Sequence, residues 1–102
     1  MTDVMSELAA VKAKTAEALR AAEADGGASG VLIAVVREFD TKAGKANRVP
    51  DTAGAARDAV IELEQAGDSA KAAAEADTGL SEKALQAVQD AHLAICILKT
   101  EV

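Results

Sequence analysis

Residues 77–81 read DTGLS and form the clearest boundary between two helices in this sequence. Gly79 is typical of the left-handed position that follows the last turn of a helix. Ser81 is typical of the N-cap of the next helix, because its hydroxyl can accept a backbone N–H of the first turn. Leu80 and Leu85 flank that cap at the spacing of a hydrophobic staple. The stretch therefore predicts one helix on either side of it.

Further breaks divide the rest of the chain in the same way. Asp3 can cap a first helix, which the glycine pair at 26–27 ends. Ser29 is a candidate N-cap for a second helix. The chain's only proline lies just before Asp51 and Thr52, either of which can cap a third helix. The four predicted helices cover about residues 3–24, 30–46, 52–76 and 81–101.

Residues 31–36 read VLIAVV and admit two interpretations. The run is rich in β-branched residues and does not alternate, so a buried strand and a buried helix both fit it. Apolar side chains at Leu32, Val36 and Phe39 continue at helical spacing beyond the run, which favours a helix. A strand here would have residues 93–98 as its natural partner, and two strands alone make a poor sheet.

Four helices joined by short loops within 102 residues predict an all-α fold, an antiparallel four-helix bundle that forms a single domain over residues 1–102. The first and third helices are both rich in alanine, glutamate and lysine and both have a one-sided apolar seam. The similarity is not firm enough to predict an internal duplication. We expect Gly67, Asp68 and Ser69 to bend or interrupt the third helix, because glycine weakens a helix and the other two can cap a new one.

The composition predicts a thin core. Of the 51 apolar residues 26 are alanine, and Phe39 is the only aromatic residue. Alanine buries little area, so a small domain of this kind often completes its core with a partner chain. The net charge of −6 lies entirely in residues 49–102. An acidic chain with one aromatic residue has neither the basic surface nor the stacking side chains of a nucleic-acid-binding protein.

Sequence signals for a compartment point to the cytoplasm. A single cysteine cannot form an internal disulfide, so the fold does not need an oxidising environment. The N-terminal residues lack the basic and apolar regions of a secretory signal. No apolar run approaches the ~20 residues that span a bilayer. We therefore expect no membrane partner.

His92 and Cys96 are the only histidine and the only cysteine, four residues apart on one face of the last predicted helix. Such a pair can supply two ligands to Zn²⁺, and two-fold symmetry could complete a His₂Cys₂ tetrahedron. The alternative is structural, with Cys96 as a small buried hydrophobe and His92 as a boundary residue. A small-molecule or metal-binding bundle with a site near this pair is thus one functional hypothesis, although no cofactor is predicted.

A single histidine on a helical bundle of this length is also similar in outline to histidine phosphotransfer domains. That resemblance implies a phosphoryl acceptor at His92. The residues that follow read LAIC, without the lysine and the small residue that such domains usually carry after the histidine. The phosphotransfer hypothesis therefore depends on His92 alone.

Excess apolar residues on the second and fourth helices favour a different function. Apolar side chains point in nearly every direction around residues 31–36 and 93–98, and one bundle core covers only part of each surface. The sequence contains no set of nucleophile, base and acid, so we expect no enzyme. We predict a small interaction or adaptor module that binds a protein partner or forms a homo-oligomer. The predicted contact residues are Leu32, Val35, Val36, Phe39, Leu93 and Ile97.

Overall fold

Four helices make up most of residues 3–102, which are the residues described by the computed structural model. They are α1 (Val4–Ala24), α2 (Gly30–Ala46), α3 (Ala53–Ala76) and α4 (Glu82–Lys99). The all-helical prediction is confirmed, and the described residues contain no strand, so the strand alternative for residues 31–36 is wrong. Residues 1 and 2 of the predicted domain lie outside the described part. None of the four helices combines the length and the apolar composition needed to cross a membrane.

Each helix begins at a residue whose side chain accepts a backbone N–H from the first turn. Asp3 accepts from Met5 at 3.1 Å, and the hydroxyls of the other three caps accept from the residue three positions later. These three caps are Ser29, Thr52 and Ser81. The predicted N-caps are confirmed, with Thr52 rather than Asp51 at α3.

Two predictions about glycine are wrong. No glycine in residues 3–102 has a positive φ, and α3 ends at Asp77 rather than at a left-handed Gly79. The predicted interruption at Gly67 is also absent, because α3 runs through it without a break. A Cβ at Gly67 would lie 3.1 Å from Cζ of Phe39, so this glycine gives space to the aromatic ring of α2.

The core contains buried residues from all four helices. α1 packs against α2 and α4, and α3 packs against the same two helices. Phe39 is the largest fully buried side chain, and leucine, isoleucine and valine fill most of the remaining core. One residue is buried in about every turn, as the predicted seams require.

The second half of the chain repeats the first at a spacing of 52 residues. Residues 21–29 read AAEADGGAS and residues 73–81 read AAEADTGLS. The buried residues of α1 are Leu8, Val11, Thr15, Ala18 and Ala22, and α3 buries the corresponding Val60, Leu63, Gly67, Ala70 and Ala74. α3 also buries Ala56, whose counterpart Val4 is only partly buried. The buried residues of α2 are Leu32, Val36, Phe39, Ala43 and Ala46, and α4 buries Ala84, Val88, Ala91, Ile95 and Leu98. The structure thus contains two helix pairs, α1–α2 and α3–α4, with corresponding buried positions, a correspondence that sequence reasoning missed.

The loop between α1 and α2 and the loop between α3 and α4 bind each other. Asp25 accepts the backbone N–H of Ser81 at 2.7 Å, and Asp77 accepts that of Ser29 at 2.9 Å. These bonds hold the pKa values of both carboxyls below their ordinary range. The two loops come closest at Gly27 and Gly79, which occupy corresponding positions. A Cβ on either glycine would overlap the carbonyl oxygen of the other.

Candidate functional site

The predicted contact residues fall into two groups. Leu32, Val36 and Phe39 are completely or almost completely buried in the core of the same chain, so they are not part of a contact surface. Their helical spacing is the core seam of α2 itself. Val35 is partly buried against that core.

Leu93 and Ile97 are exposed instead. Their exposed fractions are 58% and 53%, and they lie one turn apart on the outer side of α4. The corresponding residues of α2, 52 positions earlier, are Thr41 and Lys45. The fold therefore does not require apolar side chains at these two positions.

A groove between α1 and α4 lies beside this exposed pair. Val11 and Leu98 are buried in the core below it, while Ala10 and Ala94 leave the space between the helices open. We call this site the α1–α4 groove. Its lining residues are Glu7, Ala10, Val11, Ala94, Ile97 and Leu98. The site is almost entirely apolar, apart from one carboxylate.

One oxygen of that carboxylate has no hydrogen-bond donor in the described part of the chain. Oε2 of Glu7 is buried and has no hydrogen-bond partner among residues 3–102. Burial raises the pKa of Glu7, and the neighbouring carboxyl of Glu101 and the charge of Asp3 raise it further. An ammonium or guanidinium group placed here would supply a hydrogen bond and relieve the repulsion between the acids.

The repeat provides a second groove, between α2 and α3, with different chemistry. The residues of this α2–α3 groove that correspond to those of the α1–α4 groove are Ala59, Glu62, Leu63, Lys42, Lys45 and Ala46, and all six line it. The ammonium groups of Lys42 and Lys45 both bind the Glu62 carboxylate. Ion pairing with Lys42 lowers the pKa of Glu62 and raises that of the lysine. Charged side chains thus bridge one groove, whereas alanine and isoleucine leave the other unbridged.

His92 and Cys96 lie together on the side of α4 that faces α3. Nε2 of His92 is 2.7 Å from Oδ1 of Asp68, and Sγ of Cys96 is 3.4 Å from the same nitrogen. The histidine and the cysteine are half-buried, and the aspartate is exposed. Burial raises the pKa of the Cys96 thiol, as do the charges of Glu64 and Asp68. A raised pKa makes this thiol a poor nucleophile.

Sequence reasoning missed Asp68 as a neighbour of His92. One signal was available, because a helical hairpin that turns at Gly79 brings together residues about equally distant from that turn. The side chain of His92 is 17% exposed and its Nε2 is engaged by Asp68, which does not favour a phosphoryl acceptor.

Comparisons of this chain with protein-family models, with curated proteins and with solved structures found no match.

Proposed function

We propose that this protein is a non-enzymatic interaction module whose α1–α4 groove binds a basic amphipathic helix of a partner protein. The contrast between the two repeat-related grooves carries this proposal. The same scaffold positions hold a bridging Glu62 with two lysines in one groove and Ala10, Ala94 and Ile97 in the other. The α1–α4 groove thus has small or apolar residues where the α2–α3 groove has paired charges. A docking site for the apolar face of a helix requires such residues.

The scaffold in this proposal is an antiparallel bundle of two hairpins. Loops of five residues, 25–29 and 77–81, connect the helices of each hairpin, and loops this short join neighbouring helices that run in opposite directions. The hydrogen bonds between Asp25 and Ser81 and between Asp77 and Ser29 hold the two hairpins in register. Such a scaffold keeps α1 and α4 at a fixed separation, which preorganises the groove.

Charge complementarity selects the occupant. Oε2 of Glu7 has no donor among residues 3–102, Glu101 lies beside it, and the half of the chain that contains α4 carries the entire net charge of −6. A partner helix would place apolar side chains against Ile97 and Leu93 and a lysine or arginine near Glu7. A second copy of this chain brings the same negative charge to the contact.

The proposal is tested by introducing the charged side chains of the α2–α3 groove at the corresponding positions of the α1–α4 groove. The variant Ala10→Glu/Ala94→Lys/Ile97→Lys introduces the counterparts of Glu62, Lys42 and Lys45. The probe is a fluorescein-labelled amphipathic peptide of leucine and lysine, about 18 residues or five helical turns long. We expect the triple variant to weaken binding at least about tenfold in fluorescence anisotropy, equivalent to ~1.4 kcal/mol.

Val31→Lys is the matched control. Val31 is 72% exposed, its counterpart in the repeat is Lys83, and its substitution changes the net charge by the same amount as the triple variant. It should bind the peptide as the wild type does, with circular dichroism showing that both variants are folded. Equal binding by all three proteins would contradict the proposal. A dimer in sedimentation analysis that only the triple variant abolishes would assign the groove to a second copy instead.

A further inference from the structure

We propose that Asp68, His92 and Cys96 form a binding site for a divalent transition-metal ion such as Zn²⁺, separate from the α1–α4 groove. One aspartate on α3 and an i, i+4 pair on α4 bring a carboxylate, an imidazole and a thiol to the same place. Each can contribute one ligand atom, and these atoms all lie within 4.8 Å of one another.

One of the distances between the ligand atoms matches that of a tetrahedral site, a second is shorter, and all three are below 4.8 Å. With metal–ligand bonds of about 2.0–2.3 Å, neighbouring ligands of a tetrahedron lie ~3.3–3.8 Å apart. Sγ of Cys96 is 3.4 Å from Nε2 of His92, which lies within that range. Oδ1 of Asp68 is 2.7 Å from Nε2, a hydrogen-bond distance. A tetrahedral site needs at least ~3.3 Å between these two atoms, so the exposed aspartate side chain has to move outward by roughly 0.6 Å. Sγ of Cys96 is also 3.8 Å from Nδ1 of His92, so the imidazole has to turn until Nε2 faces an ion that the sulfur can share.

The ligand types select the class of metal. Sulfur and nitrogen donors suit Zn²⁺ and its neighbours in the first transition row, whereas Mg²⁺ and Ca²⁺ prefer oxygen ligands only. Three protein ligands leave a fourth position for water or an external ligand. Asp68 is exposed, so an ion can enter from solvent without opening the core.

The repeat indicates that this ligand set is not a requirement of the fold. The counterparts of the three residues in the first hairpin are Ala16, Asp40 and Gly44. Asp40 there serves packing between α1 and α2, since it accepts hydrogen bonds from Lys12 and Thr15 at 2.8 Å. The second hairpin has donors suited to a metal where the first has a local ion pair.

Metal binding has a defined proton balance. The thiol of Cys96 must lose its proton so that the sulfur can bind the ion, and that proton goes to solvent. Coordination through Nε2 places the ring proton of a neutral imidazole on Nδ1, so a ring that is neutral before binding releases no proton. Binding of one ion to the thiol form of the apoprotein therefore releases about one proton, and affinity increases with pH.

Titration of the full chain with Co²⁺ under reducing conditions tests the site. We expect a thiolate-to-cobalt charge-transfer band in the near ultraviolet, saturation at one ion per chain, and displacement by Zn²⁺. The band should disappear in Cys96→Ser. Asp68→Asn should weaken Zn²⁺ binding about tenfold or more, by analogy with the loss of other groups that hold a metal in place. Asp58→Asn removes the same charge from the same helix and should bind like the wild type.

Native mass spectrometry with Zn²⁺ and proton release in weakly buffered solution provide independent readouts. Circular dichroism identifies any variant that fails to fold, and His92→Gln then supplies a second test of the same site. The absence of a charge-transfer band in the wild type would overturn the proposal. Retention of Zn²⁺ affinity in both Cys96→Ser and His92→Gln would overturn it as well, because the ion would then be held elsewhere.

Discussion

Replacing Gly67 with alanine should destabilise the protein, although alanine is the better helix former. The higher helix propensity of alanine stabilises a helix interior by about 0.5–1 kcal/mol. The added Cβ, however, would lie 3.1 and 3.2 Å from two ring atoms of Phe39 and 3.3 Å from Cγ2 of Ile95. Both neighbours are fully buried, so neither can move freely. Overpacking of this kind costs about 1–3 kcal/mol, which leaves a net loss of about 1 kcal/mol in the free energy of unfolding.

Gly44→Ala is the matched control. A Cβ at Gly44 would meet only the flexible ends of Arg48 and Lys12, both at 3.6 Å. The full gain in helix propensity should therefore add to the free energy of unfolding. Urea unfolding followed by far-ultraviolet circular dichroism suits a chain without tryptophan or tyrosine. We expect Gly44→Ala to be more stable than the wild type and Gly67→Ala less stable.

A double-variant cycle identifies the source of the penalty. In a Phe39→Leu background the ring atoms nearest to Gly67 are gone, so Gly67→Ala should cost less there than in the wild type. If Gly67→Ala stabilises the protein as much as Gly44→Ala does, α3 and α2 do not approach each other at Phe39 and the reasoning is refuted.

Three further predictions concern the caps, the loops and the core. Ser29→Ala and Ser81→Ala should each lower the free energy of unfolding by about 1 kcal/mol. The two losses should be similar because the caps occupy corresponding positions in the repeat, and clearly unequal urea midpoints would contradict this. Asp25 and Asp77 have lowered pKa values in the folded state, so their contribution to stability is fully present above the ordinary pKa of about 4 and is lost as the pH falls through the folded values. Urea midpoints measured across this range should decrease towards acid in the wild type and less steeply in Asp25→Asn/Asp77→Asn, and parallel curves would argue against the loop bonds. Phe39→Ala should lower the free energy of unfolding by about 3–5 kcal/mol in calorimetry or urea unfolding, more than any other single core substitution. A loss near 1 kcal/mol would contradict the packing of Phe39 at the centre of the core.

The helices could be predicted from the sequence because their signals are local. Caps such as Ser29 and Ser81 act on a backbone N–H three residues away, and each seam is visible within one helix. The behaviour of Gly67 could not be predicted in this way. Its effect depends on the ring of Phe39, which comes from another helix and is packed against it only in the folded chain.

The correspondence between the two halves was hidden by exchanges of large and small core residues. Phe39 corresponds to Ala91, while Ala43 corresponds to Ile95, so the two hairpins fill one core with complementary rather than identical side chains. Sequence identity survives mainly around the loops, where the hydrogen bonds of Asp25 and Asp77 and the close approach of the glycines restrict the choice of residue.

The excess of apolar faces on α2 and α4 could be read from the sequence, but not which of those residues the core uses. Leu93 and Ile97 of α4 are exposed, whereas Leu32, Val36 and Phe39 of α2 fill the core and Val31 is exposed. A contact through the exposed residues stays a prediction. Asp68 and the groove beside Glu7 depend on contacts between helices far apart in sequence. Recognition of the 52-residue repeat would have indicated the groove, since Ala94 is the counterpart of Lys42, whose side chain bridges the α2–α3 groove.

The most direct test of the groove is an amide ¹H–¹⁵N correlation spectrum of the full chain, titrated with the leucine–lysine peptide. Both grooves are then observed in one sample, and each serves as a reference for the other. Binding in the α1–α4 groove should shift the amide signals of Ala10 and Ala94 and leave those of their counterparts, Glu62 and Lys42, in place. Equal shifts at both grooves, or shifts confined to other surfaces, would contradict the proposed function.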